Sequence, residues 1–212
     1  MKEKFDYRVY LVTDDVYLQR EDCFEILEAC LLAGVTAVQY RAKNKTGRAM
    51  LRDAERMRLL TNRYQIPLII NDRVDLALAV DADGVHLGQN DLSYSVARKL
   101  LGADKEIGVS ANTYEEGRAA ILAGADCIGV GPIYATSTKK DAKQPCGLSP
   151  IYALKTEFPA TPVIAIGGIT LENAEPVIQS GADGLAIISA IWNSENPADA
   201  TNCFKAGWLK WN

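Results

Sequence analysis

The chain has 212 residues, of which 48% are hydrophobic and 24% are charged, and its formal net charge is −4. These proportions are typical of a globular protein, so they exclude a disordered chain, a collagen-like chain and a disulfide scaffold. The negative charge argues against a broad nucleic-acid-binding surface, and no apolar run approaches the roughly 18 residues of a membrane span.

Short apolar segments rich in β-branched residues alternate with segments of helical periodicity along the whole chain. The predicted strands are 8–13, 35–41, 67–71, 84–87, 107–110, 127–130, 162–166 and 184–189, and the clearest predicted helices are 22–33, 48–64, 94–101, 113–123 and 171–179. A spacing of about 26 residues per strand leaves room for one helix and two short loops, which favours a compact parallel barrel over an open sheet.

An internal repeat supports the barrel. The segments LAGVTAVQY (32–40), AVDADGVHL (79–87), LAGADCIGV (122–130) and QSGADGLAI (179–187) each carry a small-residue helix end into an even-numbered strand. Gly34, Gly124 and Gly181 suit left-handed helix ends, and the aspartates of the repeat suit acceptors for backbone N–H groups before the strand begins. We therefore predict a single (β/α)₈ TIM-barrel domain of eight parallel strands over residues 1–212.

In such a barrel the chemistry lies at the carboxyl ends of the strands. Gln39, Arg41 and Lys43 alternate along an extended segment after strand 2, so their side chains leave on one face and suit a diphosphate. An exposed strand end is the alternative interpretation. Asp72 follows strand 3 and Asp91 follows strand 4, where the two carboxylates would suit Mg²⁺, although helix capping is the commoner role of an aspartate at such a position.

The remaining strand ends carry further candidates. The single histidine, His86, ends strand 4 and would serve as a structural residue, an acid or base, or a hydrogen-bond partner of a heterocycle. The aperiodic residues 131–147 are typical of a lid, in which Thr136, Thr138 and Lys139 would close over a phosphate. Gly167 and Gly168 after strand 7, with Ile188 and Ser189 after strand 8, match a phosphate site of barrels.

The cysteines predict neither zinc nor disulfides. Five are present without a CxxC spacing, and only one histidine could join them at a metal. We interpret all five as buried free thiols of a cytoplasmic protein, which agrees with an N-terminus that lacks signal-peptide features.

The motifs QYRAK, INDRVDLALAVDADGVHLGQND, GVSANT, GPIYATSTKKD, AIGGIT and IISAI, in this order and spacing, closely resemble the thiamine phosphate synthase family. The resemblance extends from Tyr10 to Trp192. It implies the (β/α)₈ fold and a transferase that joins hydroxymethylpyrimidine diphosphate to hydroxyethylthiazole phosphate with Mg²⁺, by a dissociative substitution at the pyrimidine methylene. Only small-molecule partners are implied, and the oligomeric state is not predicted.

The resemblance also implies a role for each matching position. Around the pyrimidine diphosphate it places Gln39, Arg41, Lys43, Asn71 and Lys139; on magnesium, Asp72 and Asp91; along the pyrimidine, His86 and Ser110; and on the thiazole phosphate, Thr136, Thr138, Gly168, Ile188 and Ser189. Arg41, Lys43, Ser110 and Lys139 form the implied catalytic set. Two positions depart from the family, because Ala42 stands where an acidic residue is frequent and Ala135 where proline is usual.

Two other functions fit the same barrel. A thiazole tautomerase-like isomerase would share the thiazole phosphate site without needing the full set of diphosphate and metal residues. A non-catalytic phosphate-binding barrel is the second, since a fold does not by itself imply a function. A magnesium-dependent turnover assay with both substrates would separate the three.

Overall fold

The computed structural model describes residues 5–136, 138 and 143–211. Its strands form a closed parallel barrel in which each strand pairs with the next one along the chain and the eighth pairs with the first. The strands are β1 Val9–Val12, β2 Ala37–Tyr40, β3 Leu68–Asn71, β4 Gly84–Leu87, β5 Glu106–Ala111, β6 Cys127–Val130, β7 Val163–Ile166 and β8 Gly184–Ile187. The predicted fold class is confirmed, although most predicted strands are one to three residues too long, because their ends turn into loops.

Helices cover the outside of the barrel. They are α1 Cys23–Ala33, α2 Gly47–Arg63, α3 Val74–Ala79, α4 Tyr94–Leu101, α5 Tyr114–Ala123, α6 Ser149–Glu157, α7 Ala174–Gln179, α8 Ser189–Trp192 and α9 Pro197–Trp211. Outward-facing strand residues such as Val9 and Leu11 are fully buried beneath these helices, whereas Tyr10 and Val12 belong to a second cluster inside the barrel. Within the described residues, no helix has both the length and the apolar character needed to cross a lipid bilayer.

The C-terminal helix α9 packs against α1 and closes the ring of helices. Trp208 on this helix is 5% exposed, and its indole Nε1 donates to the carbonyl oxygen of Arg8 at 2.6 Å. Trp208 therefore packs on the barrel. Cys203 on the same helix is exposed, so the prediction that all five cysteines are buried is wrong at this position; Cys23, Cys30 and Cys127 are buried and Cys146 is half-buried.

The sequence repeat has a repeated hydrogen-bond pattern. The side chains of Thr36, Asp83, Asp126 and Asp183 accept from a backbone N–H at the start of the preceding odd strand, on its first or second residue, at 3.0, 2.7, 2.8 and 2.8 Å. The helix ends before them are left-handed at Gly34, Gly124 and Gly181, and at the corresponding Asp81. Each aspartate of this set also pairs with a cation of the helix that comes before the odd strand, namely Arg58 of α2, Arg98 of α4 and Lys155 of α6. The repeat thus joins each even strand to its odd neighbour.

Asp83 tests the structural role of this repeat. Asp83→Ala removes the acceptor of the Leu68 N–H, at a fully buried residue, and the partner of Arg58. We expect the free energy of unfolding to fall by about 1–3 kcal/mol, because a buried donor loses its partner. Chemical denaturation measures this loss, with the exposed loop variant Asp104→Ala as the control. Equal stability of the two variants would contradict the role.

Candidate active site

A cavity of about 330 Å³ opens at the carboxyl ends of the strands. It descends into the barrel interior as far as Tyr10, Gly129, Ile164 and Ala186. Its wall contains the following predicted residues: Gln39, Arg41, Lys43, Asn71, Asp72, His86, Asp91, Ser110, Thr136, Thr138, Gly168, Ile188 and Ser189. Lys139 lies outside the described residues. The fold therefore brings residues from strand ends β2 to β8 to one space.

Three polar residues, Gln39 within β2 and Arg41 and Lys43 after it, line the cavity from its depth to its rim. Gln39 is 5% exposed, and its Nε2 donates to the Tyr10 hydroxyl at 2.8 Å. The Arg41 guanidinium pairs through Nη1 with Asp14 Oδ2, and the two side chains are only 12% and 13% exposed. Lys43 lies nearer solvent and reaches Asp72 through its ammonium group. The interpretation of this segment as a plain exposed strand end does not fit the burial of Gln39 and Arg41.

Asp14 and Asp15 are functional candidates that sequence reasoning missed. Asp15 is buried and accepts from the backbone N–H of Lys43 at 2.9 Å and from the Asn44 Nδ2 at 2.9 Å. Together the two carboxylates fix the backbone and the guanidinium of the segment that follows β2. The only signal in the sequence was a pair of acids directly after the first predicted strand, which is also common in surface loops.

Asp72 and Asp91 face one another across the loops that follow β3 and β4. Burial raises the pKa of the Asp72 carboxyl, the hydrogen bond from Lys43 lowers it, and the neighbouring Asp91 carboxyl raises it, so that the pKa lies above its usual value. Two carboxylates held this close favour a shared proton or a cation between them.

Neither carboxylate caps a helix. The N-cap residues of α3 and α4 are Arg73 and Ser93. Asp72 has a left-handed φ of 60° and donates its backbone N–H to the His86 carbonyl oxygen at 2.9 Å, while Asp91 Oδ2 accepts from the Gly88 N–H at 2.8 Å. The helix-capping interpretation of both residues is therefore wrong.

The donor set fits a hard cation. Among residues 5–136, 138 and 143–211, no group of three or more His, Cys, Asp or Glu side chains forms an all-protein metal cage. Mg²⁺ commonly needs only one or two carboxylates, because it keeps water molecules and takes phosphate oxygens from a substrate. An oxygen-only pair at a cavity wall that also carries cations matches this requirement.

His86 and Ser110 form a polar pair inside the barrel mouth. The His86 Nε2 lies 3.0 Å from the Ser110 Oγ, and the Ser110 carbonyl oxygen accepts from the Gln89 amide at 2.6 Å. Both side chains therefore have a defined orientation at the cavity wall. Gln89 also lines the cavity, although the resemblance to the family did not assign it a role.

The opposite wall is built from a glycine turn after β7. Gly167 and Gly168 have φ values of 99° and 66°, and a Cβ on Gly168 would lie 2.6 Å from the Ala135 carbonyl oxygen. Both the backbone conformation and the close approach of residues 134–135 therefore require glycine. Ile133 of the predicted lid is 1% exposed, so this part of the segment is anchored in the fold. Thr136 and Thr138 line the cavity next to it.

Known proteins are similar to this chain in both sequence and fold. Residues 9–191 match the family model of thiamine monophosphate synthase. A thiamine-phosphate synthase of Chloroflexus aurantiacus is 45% identical over 95% of this chain and 92% of its own length, and that of Clostridium acetobutylicum is 46% identical over 92% and 91%. The solved thiamine phosphate pyrophosphorylase of Pyrococcus furiosus superposes with a TM-score of 0.85 at 35% identity, over 97% of both chains.

Proposed function

Because the chain belongs to the thiamine monophosphate synthase family, we propose that its cavity binds a pyrimidine diphosphate and a thiazole phosphate side by side. The enzyme is a transferase of thiamine biosynthesis that joins these two small molecules into thiamine phosphate and releases diphosphate. The main support for the proposed site is that three features line one cavity. They are the cations Arg41 and Lys43 after β2, the Asp72–Asp91 pair, and the glycine turn after β7.

The diphosphate half of the site lies at β2 to β4. Arg41 and Lys43 supply positive charge after β2, and Asn71 supplies an amide at the end of β3. Asp72 and Asp91 are the proposed ligands of Mg²⁺, which when bound neutralises the charge that develops on the departing diphosphate. Lys139 joins the cations in this proposal on the strength of its sequence position alone.

The pyrimidine half lies deeper in the barrel. The Gln39 amide has a fixed orientation, because its Nε2 donates to Tyr10, so its carbonyl oxygen is the end left for a ligand donor. His86 and Ser110 offer a second set of polar atoms beside it. A planar aminopyrimidine presents ring nitrogens and an amino group, which such donors and acceptors recognise.

The thiazole phosphate half lies at β7 and β8. Gly168, Ile188 and Ser189 line the cavity there, opposite the carboxylate pair. Small residues let a phosphate group approach the backbone N–H groups closely. The hydroxyls of Thr136 and Thr138 reach the same space and supply additional donors.

The arrangement requires no protein nucleophile. The electron-rich pyrimidine stabilises a methylene cation after diphosphate departs, and the thiazole nitrogen then attacks that carbon. Charge neutralisation by Arg41 and Lys43 is electrostatic preorganisation, which is usually the largest contribution to catalysis. The buried wall around Tyr10 and Ile164 keeps water from the cation.

We extend the proposal to the chain as a whole. A single domain over residues 1–212 is supported by the barrel that closes between β1 and β8 and by α9, which returns to α1. A reducing cytoplasmic location is supported by five free cysteines.

Turnover with both substrates tests the proposed function. We expect thiamine phosphate to form when Mg²⁺ is supplied, and formation to stop with a chelator and to resume when Mg²⁺ is restored. A thiazole isomerase would act on the thiazole substrate alone, without the pyrimidine diphosphate. A non-catalytic phosphate-binding barrel would bind either ligand without product. The synthase names of the relatives at 45% and 46% identity do not favour these alternatives.

A further inference from the structure

The His86 imidazole lies against two glycines inside the barrel. His86 on β4 is the register partner of Gly108 on β5, and a Cβ on Gly108 would lie 2.5 Å from the His86 Nδ1. A Cβ on Gly129, on β6, would lie 2.8 Å from the His86 Cε1 and 2.9 Å from its Nε2. Real Cβ atoms essentially never approach another heavy atom to less than 3.0 Å, so the ring occupies space that only glycine leaves open.

Backbone conformation does not explain either glycine. Both lie within strands, and neither is among the glycines with positive φ, which include Gly167 and Gly168. Glycine in a strand interior weakens the strand, because it has no side chain to pack and loses more chain entropy on folding. The feature that accounts for them in this structure is the imidazole ring that they accommodate.

The position of this ring determines the shape of the cavity floor. Lying on Gly108 and Gly129, the ring brings its Nε2 to 3.0 Å from the Ser110 Oγ. Ser110 in turn is the register partner of Gly129, so the glycine and the polar pair are adjacent across the β5–β6 ladder. Gly129, His86 and Ser110 all line the cavity.

We infer that Gly108 and Gly129 are positioning residues, which seat His86 against β5 and β6 so that the His86–Ser110 pair forms the floor of the pyrimidine pocket. This inference rests on the proposed function. A methyl group at position 129 would displace the ring toward the cavity, where the pyrimidine is to lie, and would separate it from Ser110. The thiazole phosphate half, at β7 and β8, would be affected much less.

Gly129 is the better position for a test. The three atoms nearest to a Cβ at this position all belong to His86, whereas a Cβ on Gly108 would also lie 2.9 Å from the Cys127 Sγ. We expect Gly129→Ala to lower kcat/KM for the pyrimidine diphosphate by about 10- to 100-fold, because small displacements of positioning groups have effects of this size. The KM for the thiazole phosphate should change by less than about twofold on the same reasoning.

A double-mutant cycle isolates the contact with His86. In the His86→Ala background the added methyl meets no ring, so Gly129→Ala should change kcat/KM and the melting temperature by much less than in the wild type. Gly47→Ala is the matched control, because a Cβ there has nothing within 4 Å. Losses that simply add, in activity and in melting temperature, would overturn the inference.

The single histidine provides a readout that does not depend on turnover. In untagged protein labelled with ¹³C-histidine, the ring gives one set of correlation signals. At fixed pH, these signals should move in Gly129→Ala and stay in place in Gly47→Ala. If the ring signals did not move in Gly129→Ala, the inference that Gly129 positions His86 would be contradicted, even if activity fell. If wild-type protein made no thiamine phosphate, the proposed function would fail. The ring signals would still show whether Gly129 positions the His86 ring.

The cycle also covers a variant that does not fold. If Gly129→Ala is insoluble, the Gly129→Ala/His86→Ala protein should nevertheless fold as well as His86→Ala, because the ring is the group in conflict. Failure of the double variant to fold would show that position 129 needs glycine for a reason other than His86, and would reject the inference.

Discussion

Replacing Asp72 or Asp91 by asparagine is expected to lower turnover at saturating Mg²⁺ by about 100-fold or more, the scale of losing a preorganised electrostatic group at a reacting phosphate. Stability should change little in both variants. At position 72, asparagine tolerates the left-handed backbone conformation. At position 91, the side-chain carbonyl oxygen of asparagine can still accept from the Gly88 N–H. The loss is therefore one of charge at the cavity and not one of folding.

Three measurements check this result. Steady-state turnover at several Mg²⁺ concentrations gives the kinetic loss, calorimetry with magnesium diphosphate gives a binding loss that is independent of turnover, and thermal melting gives the stability. Asp75→Asn is the matched control, because Asp75 lies close to Asp72 in sequence, pairs with Arg73 and is exposed outside the cavity. Near-normal turnover combined with a much lower melting temperature would assign the altered aspartate a structural role instead.

Removing the Arg41 side chain is expected to have two separate effects. Arg41→Ala should lower kcat/KM for the pyrimidine diphosphate by about 100-fold, because a guanidinium that would contact phosphate oxygens is lost. It should also lower the free energy of unfolding by about 3 kcal/mol, because the largely buried Asp14 carboxylate loses its partner. Thiazole phosphate affinity should stay nearly unchanged, since β2 and β7 lie on different sides of the mouth.

A second variant separates the two effects. Asp14→Asn combined with Arg41→Ala leaves no unpaired charge, so it should recover much of the stability without recovering turnover. Denaturation, steady-state kinetics and calorimetry of thiazole phosphate binding give the three quantities. An equal loss of thiazole phosphate affinity in Arg41→Ala would indicate one merged phosphate site, and recovery of turnover in the double variant would assign Arg41 a structural role only.

Local sequence patterns do not determine which face of a helix is buried or which residue caps it. The exposed Cys203 and the packed Trp208 lie five residues apart on α9, and both belong to residue types that are commonly buried. The contacts of α9 with α1, α7, α8 and β1 decide which face of the helix is covered. Similarly, Asp72 and Asp91 follow strands as capping residues do, yet the helices begin one and two residues later than capping by them would require.

The sequence by itself determined the alternation of strands and helices, the repeat before the even strands, and many of the polar residues of the cavity wall. These features follow from local periodicity, and in a closed parallel barrel the residues after each strand converge without further information. Only the tertiary structure decided that Arg41 pairs with Asp14, that Asp15 holds the Lys43 backbone, and that Gly108 and Gly129 accommodate His86. These contacts join residues in or directly after different strands, and their geometry depends on the register and closure of the barrel, which no single segment encodes.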